Sequence, residues 1–413
     1  MTPHAIDSQH LDQLAEVAVQ IGLNIQPGQD LVLTGPIAAL PLVRRVAAAA
    51  YRAGAGLVTP VLGDEEVTLA RYRHAGDASF DRAPGWLYQG MASAFAEGAA
   101  RMAIVGDDPM MLADQDPAKA ARVGKANAIA YQPALERIAN FDINWSIVSY
   151  PTAAWARRVF PDQPEAIAVA QLAEAIFAAS RITGDDPVAA WKAHNAELER
   201  RTGWLNDQRF ASLHFTGPGT DLRVGLADGH AWHGGASEAR NGVVCNPNIP
   251  TEEVFTTPHA RRVDGHVRAS KPLSHQGSLL DGIEMRFEGG RITEARASTG
   301  EAVLHQLLET DDGARRLGEV ALVPHSSPIS RSGLLFYNTL YDENAASHLA
   351  LGQCYSKCFV KGETLSKEQI ETQGGNASMI HVDWMIGDGS TDIDGITSDG
   401  ARLAVFRRGE WAW

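Results

Sequence analysis

The sequence predicts an α/β N-terminal domain over residues 1–185 followed by a strand-rich α+β C-terminal domain over residues 186–413. Three observations carry that prediction. A chain of 413 residues with 45% hydrophobic and 21% charged residues has ordinary globular composition and is too long for one small core. Amphipathic helices alternate with short apolar strands as far as Trp204, which is the pattern of parallel α/β units. From Arg209 the texture changes to short alternating runs parted by Gly-rich turns, the signal of antiparallel strands.

The first domain can be followed element by element. Over 7–21, Leu11, Leu14, Ala15, Ala18 and Ile21 form one helical stripe. Residues 24–28 read as a turn, and Leu31-Val32-Leu33 as a short buried strand. Gly35-Pro36 follows, then an Ala-rich helix over 40–53 that Gly54 ends. Strands at 57–62 and 101–105 enclose a helix at 86–98. A helix at 118–130 leads to a strand at 144–150. Helices at 164–180 and, after the start signal Asp185-Asp186-Pro187, up to Trp204 complete this half. Neither Gly-x-Gly-x-x-Gly nor Gly-Lys-Ser/Thr occurs, so the α/β half carries no nucleotide signature.

In the second domain, 211–216, 222–226, 283–287 and 291–297 read as strands, with Gly217-Pro218-Gly219 and Gly289-Gly290 as turns. Helices are expected at 300–308 and around 313–317.

Composition narrows the partners. Lys plus Arg number 36 against 50 Asp plus Glu, a net charge of −14 that disfavours nucleic acid and anionic membrane surfaces. No apolar run approaches the roughly 18 residues of a spanning helix. Residues 1–10 lack the basic and then apolar pattern of a signal peptide. Three cysteines, Cys245, Cys354 and Cys358, are too few for a disulfide framework and fit a reducing cytoplasm. Cys354 and Cys358 are spaced to share a helix face, but no further soft ligands accompany them, and they read as structural.

The chemistry concentrates in four segments of the second half. Within 374–387, His381 and Asp383 stand at i and i+2 of a strand and project together, with Ile380, Val382 and Trp384 opposite. An imidazole beside a carboxylate is a pair of metal ligands; alone it is equally a buried His bonded by its Asp. Residues 248–258 put Glu252 and Glu253 just before Val254-Phe255. Glu319 stands at the mouth of a strand, and Asp342 to His348 delivers His348 to a helix of small residues. Each segment alone suits a structural role; all four together suggest a shared site.

These segments resemble those of the M29 family of metallo-aminopeptidases. The likeness runs through 248–258, 317–324, Leu340-Tyr341-Asp342-Glu343-Asn344-Ala345-Ala346-Ser347-His348 and 374–387. It extends to Asp81-Arg82-Ala83-Pro84-Gly85-Trp86-Leu87 and Asp186-Pro187-Val188-Ala189-Ala190-Trp191, and so covers nearly the whole chain. The resemblance implies two divalent metal ions held by Glu253, Glu319, His348, His381 and Asp383, with Glu319 bridging. It implies an active-site tyrosine at Tyr355, peptide substrates with free N-termini, and a homodimer whose sites face an internal cavity. The second domain would then be catalytic.

The residue chemistry agrees with these implications. Two ions about 3.5–4 Å apart can clamp both oxygens of a hydrolysis. The mixed oxygen and nitrogen set suits zinc, cobalt or manganese. Tyr355 would donate to the oxyanion. Glu252, beside a ligand, is the candidate general base, although an ideal strand turns it away from Glu253. A two-metal phosphoesterase and a peptide-binding protein with a structural metal are the alternatives. The scarcity of Lys and Arg in the ligand segments weighs against the first, and the carboxylate-rich set against the second.

Overall fold

The computed structural model describes residues 6–275 and 277–413. The chain forms two compact units. One holds the residues up to His194 together with Ala236–Pro250, and the other Asn195–Gly235 with Thr251–Trp413. The division therefore falls inside the helix Pro187–Gln208, and residues 236–250 depart from the expected second domain. The cause is local. Ile147 donates to Pro247 O (2.7 Å) and accepts from Ile249 N (3.0 Å), so this segment extends the edge of the first unit's sheet. Ile249 also enters that unit's apolar core.

The first unit is built on a parallel sheet in the order Val58–Gly63, Leu31–Pro36, Ala100–Val105, Trp145–Ser149. A parallel sheet needs cover on both faces. Leu31 and Leu33 pack with Leu14, Val17, Leu42 and Val46 on one side, while Val32 meets Met91 and Phe95 on the other. Asp7 starts the first helix, Ser8–Val17, by accepting from His10 N–H at 2.9 Å. The helix does not stop there: it widens into a π turn, Ala18–Leu23, that ends at Asn24 in the left-handed region. The helix expected at 118–130 runs from Pro117 to Ala139, past Pro133. Ala134 and Ile138 extend it because they are buried against Met91 and Phe95. The helix Glu65–His74 was not expected, since its polar sequence has no apolar stripe; Asp64 caps it through Val67 N–H.

The second unit contains two antiparallel sheets of consequence. The larger runs Arg291–Arg296, Glu284–Glu288, Pro258–Arg268, Thr220–Leu226, Ser212–Gly217, Asp392–Ile396, Arg402–Arg407, Glu410–Trp411. The smaller runs His381–Met385, His348–Gly352, Leu317–Leu322, Val254–Thr256. Two expectations are corrected. The helix around 313–317 shrinks to one 3₁₀ turn, Gly313–Arg315, because Leu317 is recruited into a fully buried strand. His348 begins a strand rather than sitting on a helix, since Leu349 and Leu351 are needed in the core. Cys354 and Cys358 likewise share no helix: Cys354 precedes, and Cys358 ends, a single 3₁₀ turn, Ser356–Cys358. All three cysteines are buried. Among the described residues no helix is long and apolar enough to cross a membrane.

Candidate metal centre

The smaller sheet of the second unit lays out the site by simple parity. Residues paired across strands face the same side, and alternate residues along a strand face opposite sides. Glu319 pairs with Ala350, and Ala350 with Asp383, so these three form one row across three strands. His348 pairs with Ala321, which pairs with Phe255, forming a second row. His381 stands two residues before Asp383 and opposite Gly352; Glu253 stands two residues before Phe255. All five expected ligands therefore rise from one face. Val254, Val320, Leu322, Leu349, Leu351, Val382 and Trp384 fill the other face and enter the apolar core.

The spaces between the ligands are kept small by sequence. Ala321, Ala350 and Gly352 occupy the intervening positions of the polar face. Neighbouring strands lie about 4.8 Å apart, so Glu319 and Asp383 rise from backbones roughly 9.5 Å apart with only a methyl group between. A register irregularity between Leu317 and Glu319 falls at Gly318. A Cβ there would stand 2.3 Å from Gln353 O, so only glycine allows the approach that sets the row of Glu319.

The side chains converge. His348 Nε2 is 3.1 Å from Glu253 Oε2 and 3.7 Å from Glu319 Oε1. His381 Nε2 is 3.6 Å from Glu319 Oε2 and 3.5 Å from Asp383 Oδ1. Glu319 thus has one oxygen toward each imidazole. The Nδ1–H of His348 donates to Ala346 O (3.1 Å) and that of His381 to Gln353 O (2.7 Å). Those bonds leave both Nε2 atoms turned inward as ligands.

Electrostatics point the same way. Burial pushes the Glu319 carboxyl up, with Glu253 and Asp383 adding to the effect and His348 opposing it. Burial pulls the His381 imidazole down, but Asp383 and Glu319 outweigh it and lift the group to about 9. His348 is likewise raised well above its usual value, against burial, by Glu253 and Glu319. The carboxylates demand positive charge, and the imidazoles are the only groups among them able to supply it.

The set fits a divalent cation. Ligand atoms of Glu253, Glu319 and His348 all lie within 4.8 Å of one another, and the three residues are 8%, 5% and 0% exposed. His348 Nε2 and Asp383 Oδ1 are buried without a hydrogen bond of acceptable geometry despite their close neighbours. Orphaned atoms of this kind are rare unless another partner completes them.

The profile of the thermophilic metalloprotease family, M29, matches residues 7–411. The chain belongs to that family. Aminopeptidase T of Thermus thermophilus is 53% identical over 403 residues, 98% of each chain. Aminopeptidase 2 of Geobacillus stearothermophilus is 47% identical over 408 residues, again 98% of each. The solved structure of wild-type AmpT from Thermus thermophilus matches with a TM-score of 0.93 at 52% identity, covering 98% of this chain and 99% of that one.

In this M29 chain every expected site residue lies in the second unit. Tyr355 follows the His348–Gly352 strand, and its ring lies 4.6 Å from that of His381 and 6.5 Å from that of Phe255. The residue is 42% exposed, yet its surroundings push its hydroxyl far above the usual tyrosine range. Withdrawal from water is the first cause, and the carboxylates of Glu319 and Asp383 follow.

Glu252 is placed differently. It is 3% exposed, its backbone N–H donates to Asn344 Oδ1 (2.7 Å), and its charge acts on Arg201. Glu252 is not among the groups that bear most on Glu319, His348 or His381, whereas the carboxyl of Glu343 is itself acted on by Glu253, Asp383, His348 and Glu319. Ala350, between two of the expected ligands, is a position that sequence reading passed over; Glu343, in the 3₁₀ turn Glu343–Ala345, was singled out only as one of the acids beside the ligand segments. Glu343 stood in a quoted segment, but only the packing of that turn on the His381–Met385 strand gives it significance.

Proposed function

We propose that this M29 protein is an aminopeptidase, cytoplasmic and homodimeric, that removes N-terminal residues from peptides with two divalent ions. The relatives named aminopeptidase support the activity, and the dimer follows from family resemblance. The observation that carries the reading is the position of Glu319, with one oxygen 3.7 Å from His348 Nε2 and the other 3.6 Å from His381 Nε2. That is where a carboxylate shared by two cations belongs. Glu253 and His348 would hold one ion, His381 and Asp383 the other, with Glu319 common to both. Bound zinc, cobalt or manganese supplies a water acidified enough to attack at neutral pH and a Lewis acid for the scissile carbonyl.

The protein's own groups do the rest. The bonds from Nδ1 of both histidines to backbone carbonyls fix the ring tautomers and orientation. Tyr355, kept protonated by its surroundings, donates a hydrogen bond to the oxyanion. Tyr355→Phe should lower kcat about 10²–10³-fold with metal content unchanged. An unaltered kcat would reduce Tyr355 to packing against His381. Glu252, the sequence candidate for the base, is better suited by its Asn344 bond to anchoring the segment that carries Glu253.

The test of the activity is the substrate's amine. Leucyl anilide should be cleaved and N-acetyl-leucyl anilide rejected by about 10⁴-fold, as for sites built around a polar group that the analogue lacks. Comparable kcat/KM for the two, or turnover of nitrophenyl phosphate in their place, would overturn the reading.

A further inference from the structure

The polar face of the smaller sheet continues beyond the expected ligands. The row that begins at His348 passes through Ala321 to Phe255, and an antiparallel bridge carries it on to His233. His233 N–H donates to Phe255 O (2.9 Å) and Phe255 N–H to His233 O (2.8 Å), so the two residues face the same side. The segment that ends at His233 also fixes the turn after Tyr355. Ala231 N–H donates to Cys358 O and Val360 N–H to Gly229 O, each at 2.8 Å. Cys358, buried against Phe255 and Ala321, pins the 3₁₀ turn Ser356–Cys358 over this part of the sheet.

Lys357, half-buried in the middle of that turn, is brought to the ligand side by these bonds. Its Nζ stands 4.8 Å from the centre of the Phe255 ring and 6.0 Å from that of Tyr355. The Tyr355 ring lies in turn 4.6 Å from that of His381. An ammonium so close to aromatic faces is attracted by them, which steadies its four-carbon stem. His233, with its ring 6.4 Å from that of Phe255, brings no second charge. Burial first, and then the Lys357 ammonium, hold its imidazole below the usual range. Phe255 and Tyr355 meet at 71° and form an apolar wedge beside His381, with the Lys357 charge over both rings.

This wedge adjoins the place where a substrate's leaving residue would lie. Extended chain advances about 3.5 Å per residue, so the residue just beyond the scissile bond is the one that meets a group beside Tyr355. The expected ligands include three carboxylates, and an anionic substrate group entering next to them needs a cation of its own. We propose that Lys357 is a specificity-determining residue that receives a carboxylate carried by the leaving residue, with the Phe255 ring as the floor of that subsite. The carboxylate is the α-carboxylate of a dipeptide or an acidic side chain in the same position. The inference rests on the aminopeptidase reading and adds which peptides that site favours. A lysine acts as a point charge and so accepts either arrangement.

The experiment compares wild type, Lys357→Met and Lys357→Arg, each loaded with metal and checked by circular dichroism. The substrates are leucylglycine, leucylglycinamide and leucylglutamyl amide, which carries its only carboxylate on the side chain. Lys357→Met keeps the packing on Phe255 and removes the charge. The readout is kcat/KM for each acid divided by that for leucylglycinamide, at low and at high salt. In Lys357→Met one or both ratios should fall about 10-fold, as for loss of a hydrogen bond to a charged group, and Lys357→Arg should retain most of the preference. The ratio that falls identifies the carboxylate. In wild type that ratio should decline with salt, since the lysine is only half-buried. Unchanged ratios in Lys357→Met, or an equal loss on all three substrates, would overturn the proposal. If Lys357→Met does not fold, the wild-type salt dependence decides, and ratios indifferent to salt would count against it. Wild type that cleaves none of the three would remove the aminopeptidase reading. Calorimetric binding of leucylglycine that weakens in Lys357→Met would then leave the carboxylate site standing, and equal binding would remove that as well.

Discussion

Glu319→Gln is expected to fold, to lose metal from the centre and to retain almost no activity. The carboxamide keeps the volume of the carboxylate, and the strand Leu317–Leu322 keeps its apolar side in the core. What it removes is the pair of anionic oxygens set between His348 and His381. The loss should exceed the roughly 10–100-fold that changes behind a ligand typically cost, because both cation positions are affected. Metal analysis, circular dichroism and kcat/KM on leucyl anilide check it together. Full activity with full metal content would sink the shared-carboxylate assignment.

Ala350→Leu should abolish metal uptake with no ligand altered. Ala350 is 0% exposed and sits in register between Glu319 and Asp383. A leucine there would occupy the space above the sheet that the proposed cations need. Overpacking of this kind costs about 1–3 kcal/mol, which a chain of this size can bear. Calorimetric titration with zinc or manganese should show no binding, while Ala350→Gly should bind as wild type does. Normal binding by the leucine variant would mean that the polar face has been misassigned.

Much of this site was legible because strands carry a fixed two-residue period. His381 and Asp383 could be placed on one face, with Val382 and Trp384 opposite, from the sequence alone. Glu253, Glu319 and His348 were named from the resemblance of their segments, and the register shows why they meet. His348 was expected on a helix because Ala345-Ala346-Ser347 has high helical tolerance; burial of Leu349 and Leu351 overrode it. Ala350 gave no signal, since its importance is a matter of what it lacks. In the first unit the parallel strands were readable as apolar runs, whereas the polar helix Glu65–His74 was not. The return of 236–250 to that unit rests on backbone bonds to Ile147, for which no local pattern exists.

The five proposed ligands come from three strands and from the residue before a fourth, widely separated along the chain from Glu253 to Asp383. No fragment ending before Asp383 contains the whole set, so a cation has nothing complete to grip until the last strand, His381–Met385, has docked. Such long-range pairing is slow to form, since each loop must be closed before its contacts repay the ordering. The ion therefore plays no part in early folding. On the proposed reading it would act afterwards, as a clasp on the finished sheet, adding about 2.7 kcal/mol when present at a hundredfold its dissociation constant. Metal supply would thereby become a determinant of how long the folded protein lasts, through the rate at which the sheet comes apart rather than the rate at which it assembles.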